Sequence, residues 1–195
     1  MSGRKLLIAN VHYAPWSYGG ATVVVQAMAE RLVNQHGWNV LVLTTFTDPS
    51  IANYTMKRYE LNGVQVAAVC IPSGLQSPDR FANPRFDRVA EDIISAFAPD
   101  VAHIHCVQNM GATFFKILED RKVPMAVSIH DAWWWCERQF MVMESGSYCH
   151  QVSIDLAICR YCVPDLSDTR RRKHILDKEL ERASRAKVIE SPATV

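Results

Sequence analysis

Hydrophobic and polar positions along the chain follow two alternating patterns. Short apolar runs have the length of buried strands, and they lie at 5–11, 38–45, 100–106 and 124–129. Segments with apolar residues at helical spacing stand between them, at 22–32, 85–97 and 110–120. Strand, helix and strand joined by short links are typical of right-handed parallel crossovers. The pattern therefore predicts an α/β fold, with a parallel sheet carrying helices on both faces.

Three stretches depart from this alternation. Asn62-Gly63 separates two strand-like segments, 54–60 and 64–71, and predicts a β-hairpin. Residues 73–84 are rich in Pro, Ser, Gly and Asn and predict an exposed loop. Residues 133–164 hold four cysteines and three successive tryptophans without a sustained period, which indicates an irregular cysteine-rich insertion. A charged helix at 168–186 and the start of a strand at 187–190 are predicted after it.

A glycine loop follows the first predicted strand. Gly19 and Gly20 precede Ala21 and the first helix. Two glycines let the backbone approach a ligand closely, and the free N–H groups of the following helix can bind an anion. The alternative is a tight turn without a ligand, since no complete dinucleotide or P-loop motif is present.

Composition limits the classes of function. A length of 195 residues suits one well-buried domain, and a net charge of +1 provides no basic surface for nucleic acid. No apolar run approaches the roughly 18 residues that span a bilayer. The basic start lacks the long apolar run and cleavage site of a signal peptide. We therefore expect a cytoplasmic protein that binds no nucleic acid and has no membrane span.

The cysteines of the irregular segment form a candidate metal site. Cys159 and Cys162 have a spacing that chelates zinc well, and Cys136 and Cys149 would complete four thiolates. Structural zinc would offset the entropy of ordering so long a segment. Free thiols and disulfides remain alternatives. Cys70 and Cys106 lie in apolar runs and are predicted to be buried thiols.

Four pieces in order along the chain carry a resemblance to a known family. They are the glycine loop at 15–21, the strand at 99–105, the segment Ser-Ile-His-Asp-Ala-Trp at 128–133 and the stretch at 186–191. Together they resemble the N-terminal domain of a glycosyltransferase family 4 enzyme with the GT-B fold. The resemblance implies a single Rossmann-like, acceptor-side domain over 1–195, without the C-terminal donor-binding domain.

The resemblance also implies a chemistry. Family members are retaining, hexosyltransferase-like enzymes that use a nucleoside diphosphate sugar and no catalytic metal. The acceptor would be a sugar, a lipid-linked sugar or another hydroxyl compound. The isolated chain is expected to be inactive, because the missing half holds most of the donor. The basic run 170–173 is interpreted as a solvated helix start, and peripheral contact with the inner face of the membrane is the alternative.

Site residues follow from the same resemblance. His130 resembles the family histidine that contacts the transferred sugar, with a purely structural histidine as the alternative. Gly19, Gly20 and Ala21 would approach donor and acceptor, and His105 could touch the acceptor. Further candidates at the edge of the sheet are Asp131, which is expected to fix its loop, and Trp133, which could stack on a sugar or cover the sheet.

Two other classes of protein stay open. A dinucleotide-dependent oxidoreductase is disfavoured, because no Gly-x-Gly-x-x-Gly motif follows the first strand. In addition, no acidic residue stands at the end of the second strand, near Thr44 and Thr45. A non-enzymatic module would instead use the cysteine segment to bind a metal and a partner protein.

Overall fold

The chain divides into two compact units. The computed structural model describes residues 3–17, 19–74, 81–163 and 165–189. The first unit is Met1–His130 and the second is Asp131–Val195. The described helices include none that is both long and apolar enough to cross a bilayer.

A six-stranded sheet forms the first unit, in the order β3-β4-β2-β1-β5-β6. The strands are β1 Lys5–Ala9, β2 Asn39–Phe46, β3 Met56–Leu61, β4 Val64–Cys70, β5 Val101–Ile104 and β6 Met125–Val127. All neighbouring pairs are parallel except β3 and β4, which form the predicted antiparallel hairpin. Asn62 and Gly63 have φ values of 51° and 84°, as a two-residue hairpin turn requires.

The helices of the first unit begin and end at recognisable capping residues. They are α1 Gly20–His36, α2 Pro84–Phe97 and α3 Phe115–Asp120. Gly37 ends α1 with φ 65°, and its N–H donates to carbonyls of the last turn. Asn83 caps α2 by accepting a hydrogen bond from the N–H of Phe86 at 3.2 Å, and Pro84 occupies the first turn.

Both faces of the central strands are buried. Ile8 and Val42 pack with Val25 of α1 in one cluster. Leu7 and Leu41 alternate with them along the strands and are equally buried, at 0 % and 1 % exposure. Burying a side chain of this size contributes about 1.5–3 kcal/mol. The alternation of sheet and helix and the Rossmann-like α/β class are thus confirmed.

The two edges of the sheet carry different side chains. At β3 the exposed residues are Lys57, Arg58 and Glu60. At β6 all three residues are exposed, and Met125 and Val127 leave 37 % and 48 % of their surface in solvent. One edge is therefore charged and the other apolar.

The second unit is irregular up to its last helix. It contains a 3-10 turn at Ala132–Trp134, the short helix α4 Leu156–Cys159, and the long helix α5 Ser167–Ile189. An isolated bridge pairs Val142 with Tyr148. The predicted cysteine-rich insertion and the charged helix after it are both present.

Three predicted boundaries need correction. The sequence predicts a strand at 187–190. For 187–189 this prediction is wrong, because α5 continues to Ile189. Glu190 lies outside the described residues. Extending an existing helix adds one hydrogen bond per residue fixed, which outweighs the strand preference of Val188 and Ile189. The helix expected at 110–120 begins only at Phe115, since Gly111 takes φ 84°. The predicted loop 73–84 ends before Pro84, and 75–80 lie outside the described residues.

Candidate functional site

The order of the strands reverses at β1, which defines a switch point at the carboxyl edge of the sheet. β1 lies between β2 and β5, so the chain leaves β1 toward one side and returns to β5 on the other. Ligands bind in open α/β sheets where the strand order reverses in this way. The glycine loop follows β1, His105 follows β5, and His130 lies three residues after β6. The topology therefore brings these predicted residues to one edge.

The glycine loop faces open space. Gly19 has φ 83° and ψ 159°, a conformation that residues with a side chain avoid. A Cβ atom added to Gly19 or Gly20 would meet no heavy atom within 4 Å. Helix α1 begins at Gly20 without a side-chain cap, so its first N–H groups remain available, and half-buried Ala21 follows in the first turn. The loop can therefore accept an anionic group without rearranging its glycines.

Three histidines lie together near the ends of β5 and β6: His103 within β5, His105 directly after it, and His130 after β6. The Nδ1 atom of His105 is 2.9 Å from Nε2 of His130, and Nε2 of His103 is 2.9 Å from Oγ of Ser128. The ring centroid of His105 lies 4.1 Å from that of His103 and 5.2 Å from that of His130. His105 is 2 % exposed, whereas His130 is exposed. The buried ring of His105 is thus hydrogen-bonded to the exposed ring of His130.

Burial keeps the inner histidines neutral. It lowers the pKa of His105 to about 3, and the neighbouring His103 and His130 act in the same direction. Burial likewise lowers the pKa of His103. His105 therefore carries no charge at neutral pH. Sequence reasoning named His105 as an acceptor contact, but its 2 % exposure leaves His130 as the member of this pair that faces solvent.

Asp131 fixes the start of the second unit. Its Oδ1 accepts a hydrogen bond from the N–H of Trp133 at 2.9 Å, and its Oδ2 accepts one from Nε2 of Gln139 at 2.7 Å. These bonds confirm that Asp131 orders its loop. A ligand contact for Asp131 stays a prediction.

Trp133 packs within the second unit against a buried arginine. Its ring is 4 % exposed, and the guanidinium carbon of Arg172 lies 4.5 Å from the ring centroid. Arg172 and Asp168 are each 1 % exposed. Burial lowers the pKa of Arg172 to about 10, while Asp168 and Glu137 act in the opposite direction. Trp133 is therefore a core residue of its unit, and its predicted contact with a sugar remains untested.

The basic run 170–173 is not uniformly solvated, which corrects the sequence interpretation. Arg170 and Arg171 are exposed, but Arg172 is not. The sequence signal that could have indicated the burial of Arg172 is its spacing from Asp168. The two residues are four positions apart and so share one face of α5.

The four cysteines of the second unit line one cavity. Cys136, Cys149, Cys159 and Cys162 surround it together with Met141 and other residues. The Sγ of Cys136 accepts backbone hydrogen bonds from Arg138 and Met141. Nε2 of Gln151 lies 3.4 Å from Sγ of Cys149 and 3.8 Å from Sγ of Cys159. The four cysteines that the sequence named as metal ligands thus lie around one cavity of the second unit.

The predicted zinc ligands are not arranged around a common centre. Within the part of the chain that the structure describes, no three His, Cys, Asp or Glu side chains are placed to hold a metal ion. The six cysteines, all among the described residues, form no disulfide, and burial raises the pKa of Cys136 and Cys159. Outside this cluster Cys70 is buried as predicted, and Cys106 is half-buried.

The fold defines a class of protein, the Rossmann-like α/β proteins, in which ligands bind where the strand order reverses. The family model for glycosyltransferase family 4 matches residues 18–183, and the chain belongs to that family. The resemblance read from the sequence is thereby confirmed. No curated protein matches the chain.

Several solved structures are similar in fold. A sucrose-phosphate synthase from Thermosynechococcus elongatus is 16 % identical with a TM-score of 0.48, over 65 % of this chain and 33 % of that one. The catalytic domain of starch synthase IV from Arabidopsis thaliana, bound to ADP and acarbose, is 15 % identical with a TM-score of 0.47, over 67 % and 34 %. The chain thus spans about a third of the length of each protein.

Proposed function

We propose that the chain is the N-terminal, acceptor-side domain of a retaining glycosyltransferase. The donor is a nucleoside diphosphate sugar that supplies a hexosyl group. The acceptor is a hydroxyl group of a sugar, a lipid-linked sugar or a similar compound. The observation that carries the proposal is that the open glycine loop and exposed His130 both follow strands at the carboxyl edge of the sheet, in a member of family 4.

The chemistry assigned to these residues is positioning and charge stabilisation. The uncapped start of α1 supplies N–H groups for the anionic diphosphate as it leaves. His130 supplies a hydrogen-bond donor where charge develops on the transferred sugar. Neither role needs a catalytic metal. The chain alone folds in this proposal but does not transfer, since one loop cannot position a whole nucleotide-sugar.

The proposed location is the cytoplasm, with peripheral contact at the inner face of the membrane. The exposed cations of Arg170 and Arg171 support such a contact, since basic side chains near an anionic surface each contribute about 1 kcal/mol. A lipid-linked acceptor would be reached from this position.

The test is the replacement His130→Ala in the full-length enzyme. Turnover is expected to fall more than tenfold, or roughly 1.4 kcal/mol of barrier, because a donor is lost where charge develops. His36→Ala is the matched control, an exposed histidine at the end of α1. Steady-state kinetics and melting temperature are measured for both variants. Near-normal turnover of His130→Ala, with a large loss of stability, would show that His130 is only structural.

For the cysteine cavity we propose one structural zinc ion. Two backbone N–H groups already donate to the Sγ of Cys136, which favours its thiolate. Four sulfurs line the same cavity, and Cys159 and Cys162 have chelating spacing. Binding would deprotonate the thiols and draw them toward one centre.

Elemental analysis of protein purified without added metal checks this proposal. About one zinc ion per chain is expected, because four thiolates close one tetrahedral site. Cys159→Ser should lose most of the metal, and Cys106→Ser, a cysteine of the other unit, should retain it. Four titratable thiols in metal-free protein, or two disulfides by mass spectrometry, would contradict the zinc site.

A further inference from the structure

We propose that His105 is a positioning residue that sets the tautomer of His130. It donates its Nδ1–H to Nε2 of His130, so the proton of neutral His130 sits on Nδ1. This inference rests on the proposed function, because it assigns the state in which His130 meets its substrate. It requires only contacts within the first unit.

His105 is the fixed member of the pair. Its backbone N–H donates to the carbonyl of Ala9 on β1 at 2.9 Å, which ties it to the centre of the sheet. Its ring stacks near that of His103, 4.1 Å away between centroids, and is 2 % exposed. His130 is exposed and reaches this ring with Nε2, at 2.9 Å from Nδ1. His105 therefore dictates the geometry that His130 adopts.

The position of the shared proton follows from the second nitrogen of His105. Its Nε2 is buried and has no hydrogen-bond partner among the described residues. If His105 accepted the bond from His130, its own proton would sit on this Nε2. A buried N–H without an acceptor is rarer in proteins than an under-satisfied acceptor. Donation from Nδ1 is therefore the favoured arrangement, since Nε2 then carries only a lone pair.

His105 stays neutral in this pair at neutral pH. The titratable groups facing His105 are His103 and His130, and no acid of the described residues contributes to the shift of its pKa. Burial and these two rings all disfavour the charged form of His105. A single proton therefore lies between Nδ1 of His105 and Nε2 of His130.

His130 consequently has a hydrogen-bond donor on the ring nitrogen that does not contact His105. With Nε2 occupied by His105, Nδ1 is the remaining ring nitrogen of an exposed side chain. A neutral imidazole without such a partner prefers its proton on Nε2, which would leave Nδ1 as an acceptor. A sugar or phosphate oxygen needs a donor, and the His105 contact supplies one without requiring a charged His130.

Two substitutions of His105 separate positioning from packing. His105→Phe keeps the ring shape but cannot donate a hydrogen bond. His105→Asn places an amide N–H near the position of Nδ1 and should restore the donor. Turnover of the full-length enzyme is expected to fall at least tenfold in His105→Phe and to recover severalfold in His105→Asn, with KM less affected than kcat.

Nuclear magnetic resonance of isotope-labelled imidazole rings gives a readout independent of catalysis. His130 is expected in the Nδ1–H tautomer in the parent protein and in His105→Asn, and in the Nε2–H tautomer in His105→Phe. His130 in the Nε2–H tautomer in the parent would overturn the inference. So would unchanged turnover in folded His105→Phe when His130→Ala lowers turnover as expected. If His130→Ala transfers normally while the tautomers behave as expected, the proposed function fails and the proton assignment stands.

Discussion

Replacing Gly20 with valine is expected to lower turnover of the full-length enzyme at least a hundredfold. That loss corresponds to about 2.7 kcal/mol of barrier. The melting temperature should stay within a few degrees, because a Cβ at Gly20 meets no heavy atom within 4 Å and valine is no worse than glycine in a helix. The added side chain would fill the space from which, in the proposed function, the N–H groups of α1 bind the diphosphate.

Ala27→Val is the matched control for this experiment. It places the same side chain at an exposed position of α1, away from the loop. Turnover and circular dichroism of both variants are compared with the parent. Gly20→Val with parental turnover and a folded spectrum would mean that the space before the loop holds no part of the substrate.

Arg172→Ala is expected to lower the free energy of unfolding by about 3–5 kcal/mol. Removing one member of a buried set of opposite charges costs up to this much, because the other charge loses compensation. Here Asp168, which is 1 % exposed and whose charge favours the charged form of Arg172, would keep the half-exposed Arg171 at 3.8 Å as its ion-pair partner, and the ring of Trp133 also loses the guanidinium 4.5 Å from its centroid. For a protein of this size the melting temperature should fall by roughly 6–20 °C.

The measurement is denaturant unfolding followed by tryptophan fluorescence. Two further variants serve as comparisons for Arg172→Ala. Arg170→Ala, an exposed arginine of α5, should change the unfolding free energy by less than about 0.5 kcal/mol. Arg172→Lys keeps the charge but loses the planar stack on Trp133, so it should fall between the two. Equal stability of Arg172→Ala and Arg170→Ala would show that the buried arginine contributes nothing to the second unit.

The parts of the fold that sequence predicted are those governed by local rules. The strand β2 reads as an uninterrupted apolar run and is buried on both faces. Asn62-Gly63 predicted its hairpin because few other residue pairs accept two positive φ values. The strand expected at 187–189 failed because local preference was outweighed by continuation of α5.

From the sequence, only those site residues could be predicted whose position follows from the end of a strand. Parallel strands place their carboxyl ends together, so the glycine loop and His130 could be assigned to one edge. The hydrogen bond between His105 and His130 depends on how β5 pairs with β6, which no short-range pattern records. The burial of Arg172 depends on packing in the second unit, and composition had suggested a solvated run.

The unlike edges of the sheet limit how copies of this protein could assemble through strand pairing. A strand approaching β3 would have to desolvate Lys57, Arg58 and Glu60, which opposes pairing, whereas β6 offers only Met125, Ala126 and Val127. Two copies that meet at β6 use the same surface on each and leave only charged edges outward. Such an arrangement is closed after two members. At high concentration the sheet therefore favours pairs over open-ended fibres.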